Sequence, residues 1–324
     1  MNALPAMQGL WLDSRLLSFR DDLPVPTPPP GEALIRVRCE GVCSTDLELL
    51  KGYYPYSGIP GHEFVGQVEQ AMGAEHWLGR RVVGEIGAAC GRCSACLGGR
   101  KNHCEGRTVL GIVNRHGAMA EWLALPVENL HAVPENLPDE AAVFAEPLAA
   151  ALRIQEQRPI GRGEQVLVVG AGKLGNLVAQ SLGPTGCDLL VIGRHSENLD
   201  LLARRGIRTG TAEALPERSM DVVVECTGNP AGIALARRAV RPGGTVVLKS
   251  TYRGEASLDL SGLVVDEVTL LGSRCGPFTP ALDLLARKEV EVASLIHARY
   301  PLREGKEAFA HAARPGVLKV LLYA

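Results

Sequence analysis

Four cysteines, Cys90, Cys93, Cys96 and Cys104, fall within fifteen residues at the spacing C-x2-C-x2-C-x7-C. Thiolates at these intervals can face one centre, and four sulfurs in a tetrahedron are the pattern of a closed, structural zinc site. Arg92, Arg100, Lys101 and Arg107 stand nearby to offset the thiolate charge. With four sulfurs available, the neighbouring His103 reads as a residue of the lobe's surface. Upstream, Cys43 and the tripeptide Gly61-His62-Glu63 supply a second, mixed donor set. A Cys/His/carboxylate set can leave a coordination position open for chemistry. One set would therefore hold structure, and the other is a candidate for catalysis.

A third pattern is Gly170-Ala171-Gly172-Lys173-Leu174-Gly175, which follows an apolar run ending at Val169 and opens a helical stretch. In that context the first glycine makes a tight turn, the second lets backbone approach a pyrophosphate, and the third lets helix pack on strand. The helix N-terminus then faces the phosphates with its partial positive charge. About twenty residues on, an NAD-binding chain places a carboxylate on the ribose 2′-hydroxyl. Here the sequence is Gly193-Arg194-His195. With no carboxylate to repel it and a guanidinium able to fork onto phosphate oxygens, a 2′-phosphate is the better match, so NADP(H) is expected ahead of NAD(H).

The elements that must carry these residues are legible in outline. The first third holds short β-like runs punctuated by Gly and Pro, such as Ala33 to Arg38 and Glu63 to Val68, and predicts an antiparallel, barrel-like β unit. Pro24 to Pro30 is a stiff connector into it. The pattern turns helical from Asp139 to about Gln157. Beyond Gln165, unbroken apolar runs at 166–169, 189–192, 222–224 and 245–248 alternate with helical stretches, which predicts a doubly wound parallel sheet. A helix at 280–287 and a closing strand at 318–323 are expected to return to the first unit. The domain assignment is thus 1–147 with 277–324, and 148–276.

Composition narrows the classes of partner. At 324 residues and 46% hydrophobic, the chain can bury two cores. Its net charge of −2 offers no basic field for nucleic acid or anionic lipid, leaving a small molecule as the expected partner. No run approaches the roughly 20 apolar residues of a membrane span, and Asp13, Arg15 and Arg20 interrupt the N-terminal region in a way signal peptides do not, so a cytoplasmic location is expected. Cys39, Cys187, Cys226 and Cys275 read as small buried hydrophobes. His76, His116, His131, His297 and His311 have no ligand-spaced partners.

Cys43-Ser44-Thr45-Asp46, Gly61-His62-Glu63, the cysteine lobe, Glu146-Pro147 and Gly170 to Gly175 stand in the order seen in zinc-dependent medium-chain dehydrogenases. The chain resembles that family over nearly its whole length, down to Ala308-Phe309 and Leu318-Lys319-Val320. The resemblance implies a GroES-like, β-rich catalytic domain beside a Rossmann domain. It also implies hydride transfer between a nicotinamide and a secondary alcohol or the matching carbonyl, with zinc as Lewis acid on the substrate oxygen. Cys43, His62 and Glu146 would bind the catalytic zinc, with Glu63 an alternate ligand or a carboxylate behind them. Glu146 stands where other alcohol dehydrogenases carry cysteine, which points to the sorbitol, threonine and glucose branch and to polyol, sugar or amino-alcohol substrates.

Further roles follow from the same resemblance. Thr45 would pass the substrate proton on, or cap its turn. Asp46 would support the ligand histidine, or cap its helix. Glu225-Cys226-Thr227-Gly228 resembles the cofactor-side loop, with Thr227 toward the cofactor, and Arg241 to Gly244 resembles the turn before the next strand. Dimers or tetramers are implied. One departure is Glu48, where the family ends its proton relay with histidine; an ordinary carboxyl, with a pKa near 4.3, is a weak base. Glu48 and the short chain motivate an alternative, a catalytically silent relative that binds a dinucleotide as a sensor or structural partner. A zinc-independent quinone reductase of the same superfamily would not need Cys43, His62 and the lobe together.

Overall fold

The computed structural model describes residues 6–215 and 217–324, and the chain divides into two compact units. The first comprises the described residues up to Glu146 with Phe278–Ala286 and Leu295–Ala324; the second comprises Pro147–Pro277 and Arg287–Ser294.

The first unit is organised around the strand Glu32–Gly41, which pairs with Phe64–Ala71, Trp122–Pro126 and Lys319–Tyr323. Successive side chains on both of its faces are buried, including Ala33, Leu34 and Ile35. Register shifts at Leu34/Ile35 and Val37/Cys39 bend the strand. Its first half pairs with Trp122–Pro126, and its end, at Glu40 and Gly41, meets Leu322 and Leu321 of the closing strand. Pairing within this sheet is antiparallel except at Ile296–Pro301, which lies parallel to Lys319–Tyr323 and reaches it through the helix Gly305–Ala312. A parallel partner needs such an intervening crossover, and the strand Ile296–Pro301 is not among the β-like runs read from the sequence. Two apolar clusters fill the unit, one around Leu10, Ile59, Met119 and Phe309, the other around Ile35, Phe64, Val82 and Leu123. Each such side chain is worth roughly 1.5–3 kcal/mol on burial.

In the second unit a parallel sheet runs in the order Arg208–Gly210, Asp188–Ile192, Gln165–Val169, Met220–Glu225, Val240–Leu248 and Thr269–Gly272. This is the doubly wound arrangement whose switch point lies beside the first strand. Val166, Leu167, Val168, Val222, Val223 and Val224 are fully buried, as apolar runs in a parallel sheet require. Arg241 to Gly244 lies inside the strand Val240–Leu248, where the pairing shifts register and Gly243 takes φ +70°, so the expected turn is a bulge. The helix read across 139–157 is two, Asp139–Ala142 and Ala145–Gln157. Pro147 explains the second start, since proline is tolerated only in a first turn, where its missing N–H has no partner to lose.

Candidate metal centres and cofactor site

The four lobe sulfurs lie within 4.8 Å of one another. Cys93 caps the short helix Ser94–Leu97 and Cys96 lies within it, their sulfurs 3.5 Å apart, and Cys90 is 4.0 Å from Cys96. A tetrahedron with metal–sulfur bonds of about 2.3 Å has edges of about 3.8 Å, so the set fits a zinc ion. Backbone N–H groups of Arg92 and Cys93 pull the Cys90 thiol down, and those of Cys96 and Glu105 pull Cys93 down to about 6. Burial, with the neighbouring thiols, pushes Cys96 up to about 12. Local backbone thus prepares thiolates on one side of the cage, and His103 stands exposed beside it.

Ligand atoms of Cys43, His62 and Glu63 also come within 4.8 Å of one another. Cys43 is the N-cap of the helix Ser44–Leu50, and its N–H donates to Asp46 Oδ2 at 2.8 Å. The other oxygen of Asp46 lies 3.3 Å from His62 Nδ1, with both residues buried. Burial works against a charge on His62, but Asp46 and then Cys43 outweigh it and raise the imidazole well above its usual value. His62 is delivered by a loop clamped through Gly117 N–H to Ile59 O, Met119 N–H to Pro60 O, and Ala118 N–H to Gly61 O. Gly61 has φ +95°, and a Cβ there would meet Met119 N at 2.9 Å and Glu40 Oε2 at 2.8 Å.

Thr45 is half-buried, its hydroxyl 3.9 Å from the Cys43 sulfur. Glu48, at the far end of that helix, is ion-paired to Lys51 at 2.7 Å. Glu146 opens the helix Ala145–Gln157 and stands outside the tight cluster of three. The donor chemistry and the buried orphan oxygen Glu63 Oε1 fit a divalent cation at this set.

Two ionisable groups of this region escaped sequence reading. Lys319, fully buried, pairs its ammonium with Glu63 and lies 5.4 Å from the centre of the Phe144 ring. Burial opposes its charge, yet Glu63, then Cys43 and Glu146, make it hold its proton more tightly than usual. Glu40 is 2% exposed, and burial followed by the Asp46 charge pushes its carboxyl well above the usual range. Lys319 did leave one sign, a lysine inside the apolar stretch Val317 to Leu322.

In the second unit Gly170 takes φ +109°, and its N–H bonds Ile192 O at 2.8 Å. A Cβ on Gly175 would meet Gly170 O at 1.8 Å, so strand, turn and helix fit together only around glycine. Gly172 caps the helix Lys173–Leu182, which has Lys173, Leu174 and Gly175 in its first turn, and Asn176 pins the turn through Ala171 O and Gly172 O. Arg194 is exposed, and His195 is the N-cap of the helix Ser196–Ala203. The Thr227 hydroxyl and N–H both donate to the buried Glu225 carboxylate, which shapes the loop.

Residues 29–135 match the alcohol dehydrogenase GroES-like domain family, and residues 174–287 match the zinc-binding dehydrogenase family. The L-threonine 3-dehydrogenase of Streptomyces coelicolor is 32% identical, over 98% of this chain and 96% of that one. The chain belongs to the zinc-binding dehydrogenases. A sorbitol dehydrogenase of Halalkalibacterium halodurans is 30% identical to this zinc-binding dehydrogenase, over 92% of this chain and 93% of that one. A protein from Sinorhizobium meliloti 1021, solved bound to NADP, superposes with a TM-score of 0.89 at 28% identity, covering 99% of this chain and 100% of that one. The fold is accordingly a GroES-like unit with a Rossmann unit, and the protein is an oxidoreductase that uses zinc and a nicotinamide cofactor. No helix among the described residues is long and apolar enough to cross a membrane.

Proposed function

We propose that this zinc-binding dehydrogenase oxidises a secondary alcohol of a polyol, sugar or amino-alcohol, or reduces the matching carbonyl, and prefers NADP(H) while accepting NAD(H). The observation that carries the reading is the gathering of Cys43, His62 and Glu63 within 4.8 Å in a chain that also has a glycine-rich strand-to-helix turn. The named substrates of its two relatives, sorbitol and L-threonine, carry secondary hydroxyls with polar neighbours, which supports the substrate class.

In this reading Cys43, His62 and Glu146 hold the catalytic zinc, Glu63 is its alternate ligand, and Cys90, Cys93, Cys96 and Cys104 hold the structural one. When bound, zinc supplies a Lewis acid for the substrate oxygen and the nicotinamide takes or gives the hydride. Asp46 keeps His62 oriented and caps the helix that begins after Cys43. The Thr45 hydroxyl accepts the alcohol's proton and passes it outward toward the Glu48–Lys51 pair; in reduction the proton returns by the same groups. Gly170, Gly172, Lys173, Leu174 and Gly175 wrap the pyrophosphate, Thr227 shapes the loop on the cofactor's side, and Arg194 with His195 receives the 2′-phosphate.

The protein would work in the cytoplasm, where its cysteines stay reduced. It would do so as a homodimer at least, because the sheet edge Thr269–Gly272 and the adjoining helix expose Leu260, Val264, Val265 and Leu270 at 69, 77, 81 and 38%. Light scattering should give a monomer for Val265→Asp; an already monomeric parent protein would refute this. The reading as a whole is tested by titrating metal-analysed protein with NADPH and NADH, following nicotinamide fluorescence. Two zinc ions per chain and tighter NADPH binding, lost by about tenfold in Arg194→Ala, are expected. One zinc and no turnover on a broad alcohol panel would favour the silent relative.

A further inference from the structure

We propose that Lys249 is a specificity-determining residue for the oxidation state of the cofactor: its buried charge favours the neutral dihydronicotinamide over the cationic oxidised ring. The inference rests on the nicotinamide cofactor lying along the carboxyl ends of the parallel strands, and adds to that reading a residue that tells the two forms apart.

Strand order fixes where this charge stands. A doubly wound sheet takes a dinucleotide across the carboxyl ends of its strands, with one mononucleotide on each side of the switch point. Arg194 follows Asp188–Ile192 on one side of Gln165–Val169, whereas Met220–Glu225, Val240–Leu248 and Thr269–Gly272 lie on the other. With the adenosine half at Arg194, the nicotinamide half falls to the second side. Lys249 is the first residue beyond Val240–Leu248 there. It is 7% exposed, although lysine ordinarily carries its ammonium out to water. The ammonium donates instead to Ala150 O at 2.6 Å, Arg274 O at 3.1 Å and Ser273 Oγ at 3.2 Å. These uncharged acceptors hold the cation in place without neutralising it.

Its surroundings keep it there. The Lys249 N–H bonds Glu225 O and the Ser273 N–H bonds Leu248 O, both at 3.1 Å. The chain after Thr269–Gly272 is laid along the helix Ala145–Gln157: Gln157 donates to Gly272 O at 3.1 Å, and a Cβ on Gly276 would meet Ala149 O at 2.0 Å. Buried Glu225 carries the opposite charge one strand nearer the glycine turn, where its carboxylate accepts from the Thr227 N–H and hydroxyl. The Cys226 thiol feels both fields, since burial and then Glu225 push it up to about 12 while Lys249 pulls it the other way. The phosphates of the cofactor are the same in both oxidation states and only the charge of the ring differs, so a fixed cation acts on the ratio of the two affinities. Such a site takes up the reduced form in preference from a mixed pool, which sets it for carbonyl reduction.

The test compares dissociation constants. Metal-loaded wild type, Lys249→Met and Lys249→Arg are titrated by calorimetry with NADPH and NADP+, and with NADH and NAD+. Lys249→Met should move the ratio of Kd for NADP+ to Kd for NADPH about tenfold toward the oxidised form, and the NAD+/NADH ratio by the same factor. Lys249→Arg should keep the wild-type ratios. Charges common to wild type and variant, those of bound metal among them, cancel in the comparison. Lys249→Gln, which keeps a donor to the same oxygens but no charge, should shift the ratios as Lys249→Met does, and it replaces that variant if Lys249→Met does not fold. A purely structural role would weaken both forms by one factor, so unchanged ratios in the neutral variants would overturn the inference alone, as would an arginine variant shifted as far as they are. A wild-type protein that binds none of these nucleotides would overturn the cofactor reading and this inference with it.

Discussion

The cysteine lobe and the mixed donor set solve the same problem, holding a cation, in opposite ways. The lobe collects its sulfurs from residues 90 to 104 and prepares them with backbone N–H groups of the same segment. The mixed set draws on residues 43, 62 and 63 and leans on Lys319, which is 256 positions from Glu63. A cage whose parts are close in sequence needs little beyond its own loop. A site with an open position needs the surrounding sheet to hold charged groups that would otherwise collapse on one another or seek water.

The strongest way to break this contrast is Cys43→Ala. It should lower kcat/KM by at least about 10³-fold, roughly 4 kcal/mol of transition-state stabilisation, while zinc analysis still finds the lobe's ion. Loss of both ions would show that the two sets are not independent. Next in size is Cys93→Ala, which should cost the lobe metal and lower Tm by several degrees, at about 2–4 °C per kcal/mol for a unit of this size. Calorimetry with metal analysis reads it, and NADPH affinity should be unchanged. An unaltered Tm would mean that the cage is ornamental to folding.

The smallest effect sharpens the role of the closing strand. Glu140 accepts from Arg299 at 2.6 and 2.7 Å and from the Tyr323 hydroxyl, and these partners, Arg299 first, hold its carboxyl down to about 2 from an ordinary 4.5. A lowered folded-state pKa means that this stabilisation is full above pH 4.5 and is lost as pH falls toward 2. Thermal melts across that window should lose stability with a shallower slope in Glu140→Gln. Equal slopes would remove Glu140 from the strand's support.

The same contrast explains what could be read in advance. The lobe and the glycine turn were legible because their spacing is local and the flanking apolar runs named the strand before the turn. The sheet strands at 166–169 and 189–192 announced themselves as unbroken apolar runs, whereas Thr269–Gly272, a largely exposed edge, left no such run. The hairpin Met7–Asp13 with Leu16–Leu23 turns through Ser14 and Arg15, both at positive φ, without the Asn-Gly signal that marks such turns. Glu40 and Lys319 were illegible as a charged environment, because what makes them unusual is the neighbours that folding brings.

Asp46 carries one more implication. One of its oxygens holds the backbone at Cys43 and the other faces the ring of His62, so a single carboxylate yokes two members of the open set. Neither can wander without disturbing the other. The arrangement behaves like a chelate assembled before any ion arrives: the loss of freedom that ligands normally suffer on capture has already been met during folding, and an incoming cation finds them waiting in register.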